Sequence, residues 1–189
     1  MKEAQYVSLI KRTDFALNNT NNCCKKGCSF CCYQLTEVLD FEKQTIKNAI
    51  NTLDDETKIQ VKNNLESWTN YFNKNTPDDK LLDDHETVEY LFEIAFLEKH
   101  QCPLLIDNCC AIYNNRPLAC RLHLVKSDSN LCEEDAYRAS SDECNEIREE
   151  VMKEIKTKGK HQLTYLPYII AEVIPTQLQI KPIKRTVIK

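Results

Sequence analysis

Eleven cysteines are distributed very unevenly along this chain, and one tight group reads Cys24-Lys25-Lys26-Gly27-Cys28-Ser29-Phe30-Cys31-Cys32. A second group, Cys102, Cys109, Cys110 and Cys120, follows much later, with Cys132 shortly beyond. A thiolate is a soft anionic ligand, and several on one short loop converge on a single point with little help from the rest of a fold. A chain built this way is expected to fold around an inorganic centre. The fold class predicted is mainly α, with a small irregular cysteine-rich metal-binding core surrounded by helices and a few short strands.

Cys24-x3-Cys28-x2-Cys31 brings three sulfurs to one side of a loop, and a fourth ligand from elsewhere would complete a tetrahedral zinc or a cubane cluster. Adjacent cysteines such as Cys31 and Cys32 diverge along an extended backbone. Cys32 therefore implies either a second metal nearby or a core role. Counting Cys24, Cys28, Cys31, Cys32, Cys102, Cys110, Cys120 and Cys132 gives eight thiols, enough for two four-thiolate sites or for one cluster with structural thiols around it. Gly27 stands directly before Cys28 in a chain with only two glycines. Its tolerance of positive φ suits a loop that turns its N–H groups toward sulfur. A four-thiolate site carries net negative charge, so Arg116 or Arg121 is predicted to donate N–H bonds to sulfur or to a backbone carbonyl of the ligand loops.

The remaining pattern is helical. A helix is expected from Glu3 to Leu17, then a polar linker, then extended chain from Tyr33 to Leu39. Asp40 is placed to cap a helix reaching Leu53, with Ile46, Ile50 and Leu53 on one face. Asp54 or Asp55 caps the next, whose Val61, Leu65, Trp68 and Phe72 stripe is core packing. Asn73 to Asp84 reads as a loop. Val88, Leu91, Phe92 and Ala95 recur helically and lead into the second cysteine group, with a turn at Asn114–Asn115. A long helix is predicted from Glu133 to Lys158, stopped at Gly159, with Tyr137, Cys144, Ile147, Val151 and Ile155 on one face. Cys144 is thus read as a packing residue. Leu163, Leu166, Ile170 and Val173 predict a last short helix with Pro167 in its first turn. The expected organisation is one domain over 1–189, with a cysteine module over 22–133 and a helical extension and tail over 134–189.

Composition narrows the function classes. Net charge is −4, with 42% hydrophobic and 29% charged residues. No general affinity for nucleic acid is expected from such a balance, the locally basic tail Lys181–Lys189 notwithstanding. No apolar run suits a membrane span and no secretory leader is visible, which predicts a cytoplasmic setting, no membrane partner and reduced thiols rather than disulfides. His85, His100, His123 and His161 are the only histidines, and Asp83-Asp84-His85-Glu86 reads as a charged loop entering a helix. No Ser–His–Asp arrangement, Walker loop or dinucleotide fingerprint is present.

Taken together, Cys24-x3-Cys28-x2-Cys31-Cys32, Cys102-Pro-Leu-Leu, Cys110-Ala-Ile-Tyr113 and Arg116-Pro117-x2-Cys120-Arg121, in this order, closely resemble the zinc- or iron-chelating cysteine-cluster family of the YkgJ type. The resemblance covers roughly residues 22–133. It implies that Cys24, Cys28, Cys31, Cys32, Cys102, Cys110 and Cys120 are the shared metal ligands, holding an iron–sulfur cluster or zinc. Cys23 and Cys109 fall beside motif positions. The same module occurs in flagellin lysine N-methylases, which implies an alternative: an iron–sulfur-dependent methyltransferase using S-adenosylmethionine and a protein substrate. A third reading is redox or metal-trafficking chemistry at the vicinal thiols. The three-cysteine spacing also matches radical S-adenosylmethionine enzymes, but the alternating strand–helix units of their barrels are missing here.

Overall fold

The computed structural model describes residues 1–76, 85–126, 128–135, 138, 140–182 and 187–188, without the side chains of 85–88 and 187–188. Helices α1 (Glu3–Asn18), α2 (Lys43–Asn51), α3 (Asp55–Asn75), α4 (His85–Leu97), α5 (Leu118–Arg121), α6 (Asp142–Thr157) and α7 (Leu166–Val173) dominate it. The strands are short: β1 (Glu37–Leu39), β2 (Leu105–Ile106), β3 (Cys109–Cys110), β4 (His161–Tyr165) and β5 (Val187–Ile188). The mainly helical class with a few short strands is therefore the observed one.

β4 is the centre of an antiparallel sheet ordered β1-β4-β5, with Val38 opposite Thr164. Three apolar clusters form around it. The first joins Ile46, Ala49 and Ile50 of α2, Val61 and Leu65 of α3, and Leu166, Ile169 and Ile170 of α7. The second joins Tyr6, Leu9 and Leu17 of α1 to Cys144, Val151 and Ile155 of α6. The third stacks Trp68 and Phe72 of α3 against Leu91 and Ala95 of α4. The stripes of α2, α3, α4, α6 and α7 are those read from helical spacing, and that of α1 was not among them. Burying these faces drives each helix onto its neighbour. Cys102 and Cys110 pack against the first cluster and Cys24 against the second, so the cysteine region lies between them.

Several expected boundaries move. Asp40 does not cap α2; it opens a 3-10 turn over Asp40–Glu42, accepts from the Phe41 N–H and pairs with His161 at 3.0 Å. Between Tyr33 and Leu39 only Glu37–Leu39 is a strand, and Phe30–Tyr33 forms a 3-10 turn. α3 runs on through Asn73 to Asn75, with the Asn75 amide donating to the Tyr71 carbonyl at 2.9 Å. The rest of the expected loop, 77–84, lies outside the described residues, as does Tyr137. The long helix begins at Asp142 rather than Glu133, because Ser141 caps it by accepting from the Cys144 N–H at 3.2 Å. Residues Ser129–Glu133 form a separate 3-10 turn. Leu163 belongs to β4, which passes into α7 without an intervening turn. Among the described residues, no helix is long and apolar enough to cross a membrane.

Candidate metal centre

The first cysteine loop is shaped by a turn in which the Cys28 N–H donates to the Lys25 carbonyl at 3.0 Å. Gly27 supplies φ of +91° there, a conformation other residues resist. The chain then tightens into Phe30–Tyr33, with the Cys32 N–H donating to the Ser29 carbonyl at 2.8 Å. Cys109 and Cys110 form one arm of a hairpin whose two turn residues, Asp107 and Asn108, have φ of +48° and +60°. This two-residue, left-handed connection matches the twist of the paired strands. Alternation along β3 sends adjacent side chains to opposite faces, and Cys110, opposite Leu105, is the one that reaches the site.

Backbone and side-chain bonds fasten the two cysteine groups together. The Cys102 N–H donates to the Cys32 carbonyl at 2.7 Å, and the Ser29 hydroxyl to Asn108 Oδ1 at 3.2 Å. The Cys23 N–H donates to the Val125 carbonyl at 3.0 Å, and the Val125 N–H reaches Cys24 Sγ at 3.4 Å. Thr36 Oγ1 lies 3.8 Å from Cys120 Sγ. As a result Cys24, Cys28, Cys31, Cys32, Cys102, Cys110 and Cys120 all line one cavity of about 520 Å³. Cys23 and Cys109 do not line it, and neither do Cys132 and Cys144, which are both buried. Cys144 sits in the α1–α6 packing as a core residue.

The electrostatics of the cavity follow from burial. Burial pushes Cys24 up to about 11 and Cys102 up to about 12, and raises Cys28, Cys110 and Cys120 as well. Cys31 and Cys32 share a hydrogen bond that draws Cys31 below the usual thiol range and holds Cys32 above it. Charge on Cys102 or Cys120 further opposes ionisation of Cys32, so these sulfurs feel one another across the cavity. The six thiols with raised proton affinity keep their protons until a cation displaces them, and a thiol-rich, half-buried donor set fits zinc or iron. Among the described residues, no group of three or more Cys, His, Asp or Glu side chains is arranged to hold a metal ion as it stands. Closure on a metal would therefore require the thiols to rotate inward as they lose their protons.

Two residues that sequence reasoning passed over position the second group. Glu42 is buried, and accepts from the Leu118 N–H at 2.7 Å, the Leu39 N–H at 2.8 Å and the Tyr6 hydroxyl at 3.1 Å. It thereby ties the start of α5, which carries Cys120, to β1 and α1. Asp14 of α1 accepts a bidentate bond from Arg121 Nη1 at 2.7 Å to each oxygen. Arg121 also donates to the carbonyls of Arg116, at 3.0 Å, and Asn114. Both arginines expected to bond backbone carbonyls do so within the segment joining Cys110 to Cys120, Arg121 as above and Arg116 Nη1 to the Tyr113 carbonyl at 3.4 Å. Arg116 stacks 4.0 Å over the Tyr113 ring and lines the cavity, where its charge favours ionisation of Cys31 and Cys110. His123 lines the cavity too. Asp83 and Asp84 lie outside the described residues.

Comparison with curated proteins and with solved structures found no match to this chain. A family model described as a putative zinc- or iron-chelating domain, CxxCxxCC, matches residues 22–145. That span contains every cysteine of the cavity and most of the chain. With its thiols gathered as that motif requires, the protein belongs to the zinc- or iron-chelating CxxCxxCC family.

Proposed function

We propose that the cavity is a metal centre held by Cys24, Cys28, Cys31, Cys32, Cys102, Cys110 and Cys120, binding zinc or an iron–sulfur cluster in a cytoplasmic protein. One observation carries this reading: seven thiols from segments about seventy to a hundred residues apart face a single enclosure. Burying that many sulfurs, six of them with raised proton affinity, has little purpose in a core that could be filled by alanine or valine. A bound metal would also stabilise the fold. A structural zinc contributes roughly 10–16 kcal/mol, comparable with the roughly 5–15 kcal/mol by which a whole domain is stable. Elemental analysis with an absorption spectrum, both on anaerobically purified protein, tests the proposal. Stoichiometric zinc in a colourless protein, or iron with visible cluster bands in a brown one, is expected. Exhaustive chelation should then collapse the far-UV circular dichroism of the region joining the two cysteine groups. A protein that holds no metal and is unchanged by chelation refutes the reading.

A second reading has the cavity's size in its favour. A zinc with sulfurs at about 2.3 Å occupies a sphere of only about 50 Å³. The cavity, at about 520 Å³, falls in the roughly 300–1,000 Å³ range of small-molecule sites. Room beside the metal suits a cosubstrate, as in iron–sulfur-dependent methyl transfer from S-adenosylmethionine to a protein lysine. Transfer of label from methyl-labelled S-adenosylmethionine to a protein acceptor by the metal-loaded protein is the deciding assay.

A further inference from the structure

Arg116 and Arg121 stand on the same short segment and use their guanidinium groups very differently. Arg121 spends its donors inside the fold, on Asp14 and on the carbonyls of Arg116 and Asn114. Arg116 lines the cavity half-buried, and its one bond within the described residues is long, from Nη1 to the Tyr113 carbonyl at 3.4 Å. Among the described residues no carboxylate pairs with it. An arginine carries five N–H donors in a planar fork, so most of them are left for a partner that the protein itself does not supply.

The group is nevertheless held in place. Its guanidinium lies 4.0 Å over the Tyr113 ring, a cation–π stack that fixes the plane. Pro117 confines the preceding residue to extended backbone, and Arg116 has φ of −60° and ψ of 149°. Arg121 Nε pins the Arg116 carbonyl at 3.0 Å. A guanidinium oriented in this way and left unspent is preorganised for bidentate pairing with a carboxylate. The rest of the wall narrows the choice of ligand. Asp14 is neutralised by Arg121, while Glu37 and the thiolates of a loaded metal oppose a second negative charge. Lys25 borders the cavity too, but it is exposed on the turn of the first cysteine loop, where salt and water screen it. A dianion such as phosphate is therefore disfavoured. The wall suits a molecule with one carboxylate for Arg116 and a cationic remainder. S-adenosylmethionine, whose carboxylate accompanies an ammonium and a sulfonium, has that charge pattern.

Resting on the second reading above, in which a cosubstrate shares the cavity with the metal, we propose that Arg116 binds the carboxylate of that cosubstrate's α-amino-acid group. Tyr113 holds the guanidinium flat, and Arg121 holds the backbone that carries it.

The test is anaerobic titration calorimetry of the metal-loaded protein with S-adenosylmethionine and with its decarboxylated analogue, which keeps the ammonium and the sulfonium. The wild type is expected to bind S-adenosylmethionine about 10–100-fold more tightly than the analogue, the span for hydrogen bonds to a charged group. Arg116→Met should erase that preference while binding the analogue as the wild type does and keeping its metal. Unchanged affinity for the analogue reports an intact cavity. Arg116→Lys should hold an intermediate preference, since an ammonium supplies the charge without the fork. A wild type that binds both molecules equally overturns the assignment, as does an Arg116→Met variant that keeps the preference. A variant that loses its metal or both ligands together also overturns it, because the role is then structural. A loaded wild type that binds neither molecule overturns the cosubstrate reading and leaves the metal centre standing.

Discussion

Replacing Arg121 with methionine probes the frame behind the cysteines rather than the sulfurs themselves. Its side chain is 4% exposed and makes bonds to both Asp14 oxygens and to the carbonyls of Arg116 and Asn114. Methionine fills much of the volume but donates nothing. The Arg116 carbonyl then loses its partner in a half-buried setting, at about 1–3 kcal/mol. Asn114 is exposed, so water replaces that bond. Asp14 is 38% exposed, so breaking its ion pair adds only about 1 kcal/mol. The expected loss is about 2–4 kcal/mol, or a fall in Tm of about 2–4 °C per kcal/mol for a chain of this size. Urea denaturation of the metal-loaded protein followed by circular dichroism measures it. Arg121→Lys should recover less than half, because one ammonium cannot span an acid and two carbonyls. A methionine variant within about 1 kcal/mol of wild type, with metal content intact, would refute the argument that Arg121 holds the 110–120 segment in place.

Two further outcomes follow from buried groups. Burial pushes Glu42 up to about 7 from its ordinary value of 4.5, against the pull of its three donors. Between those two values the folded chain holds a proton that the unfolded chain has released, so this group's stabilisation is full below about pH 4.5. It is lost as pH rises to about 7, a change of about 3 kcal/mol. Glu42→Gln should abolish that slope, and equal slopes for both proteins at matched metal content would count against it. Cys144→Ala should cost about 1–2 kcal/mol through lost packing between α1 and α6 and leave bound metal unchanged. Loss of metal in that variant would contradict its role as a core residue.

The helices announced themselves where an apolar stripe has to be buried: Ile46 and Ile50, Val61 to Phe72, Leu166 to Ile170. Among the cysteines, spacing marked Cys24, Cys28 and Cys31, the family resemblance singled out the seven that line the cavity, and Cys132, counted with them as an eighth thiol, does not line it. Glu42 was not legible. It stands in the polar run Asp40-Phe41-Glu42-Lys43 and looks like a solvated helix start, while the N–H it satisfies at Leu118 is seventy-six residues away. Leu163 was misplaced because its three-residue step to Leu166 mimics a helical period, whereas strand β4 runs straight into α7. The start of α6 was set too early because the polar segment before Ser141 has no glycine or proline to break it. Asp14 gives no local hint of a bidentate partner on a distant loop. Long-range polar pairing has no periodicity, and that is the part a linear pattern cannot carry.

The bond from the Cys102 N–H to the Cys32 carbonyl joins points seventy residues apart. On a ribosome moving at roughly 5–20 residues per second, the early cysteine loop waits about 4–14 seconds for its counterpart to be synthesised. During that interval its sulfurs are exposed to oxidants and to stray cations without the shelter they later enjoy. The full set of cavity thiols therefore exists only once the chain has been made through Cys120, so a metal held by all of them would be completed after that point.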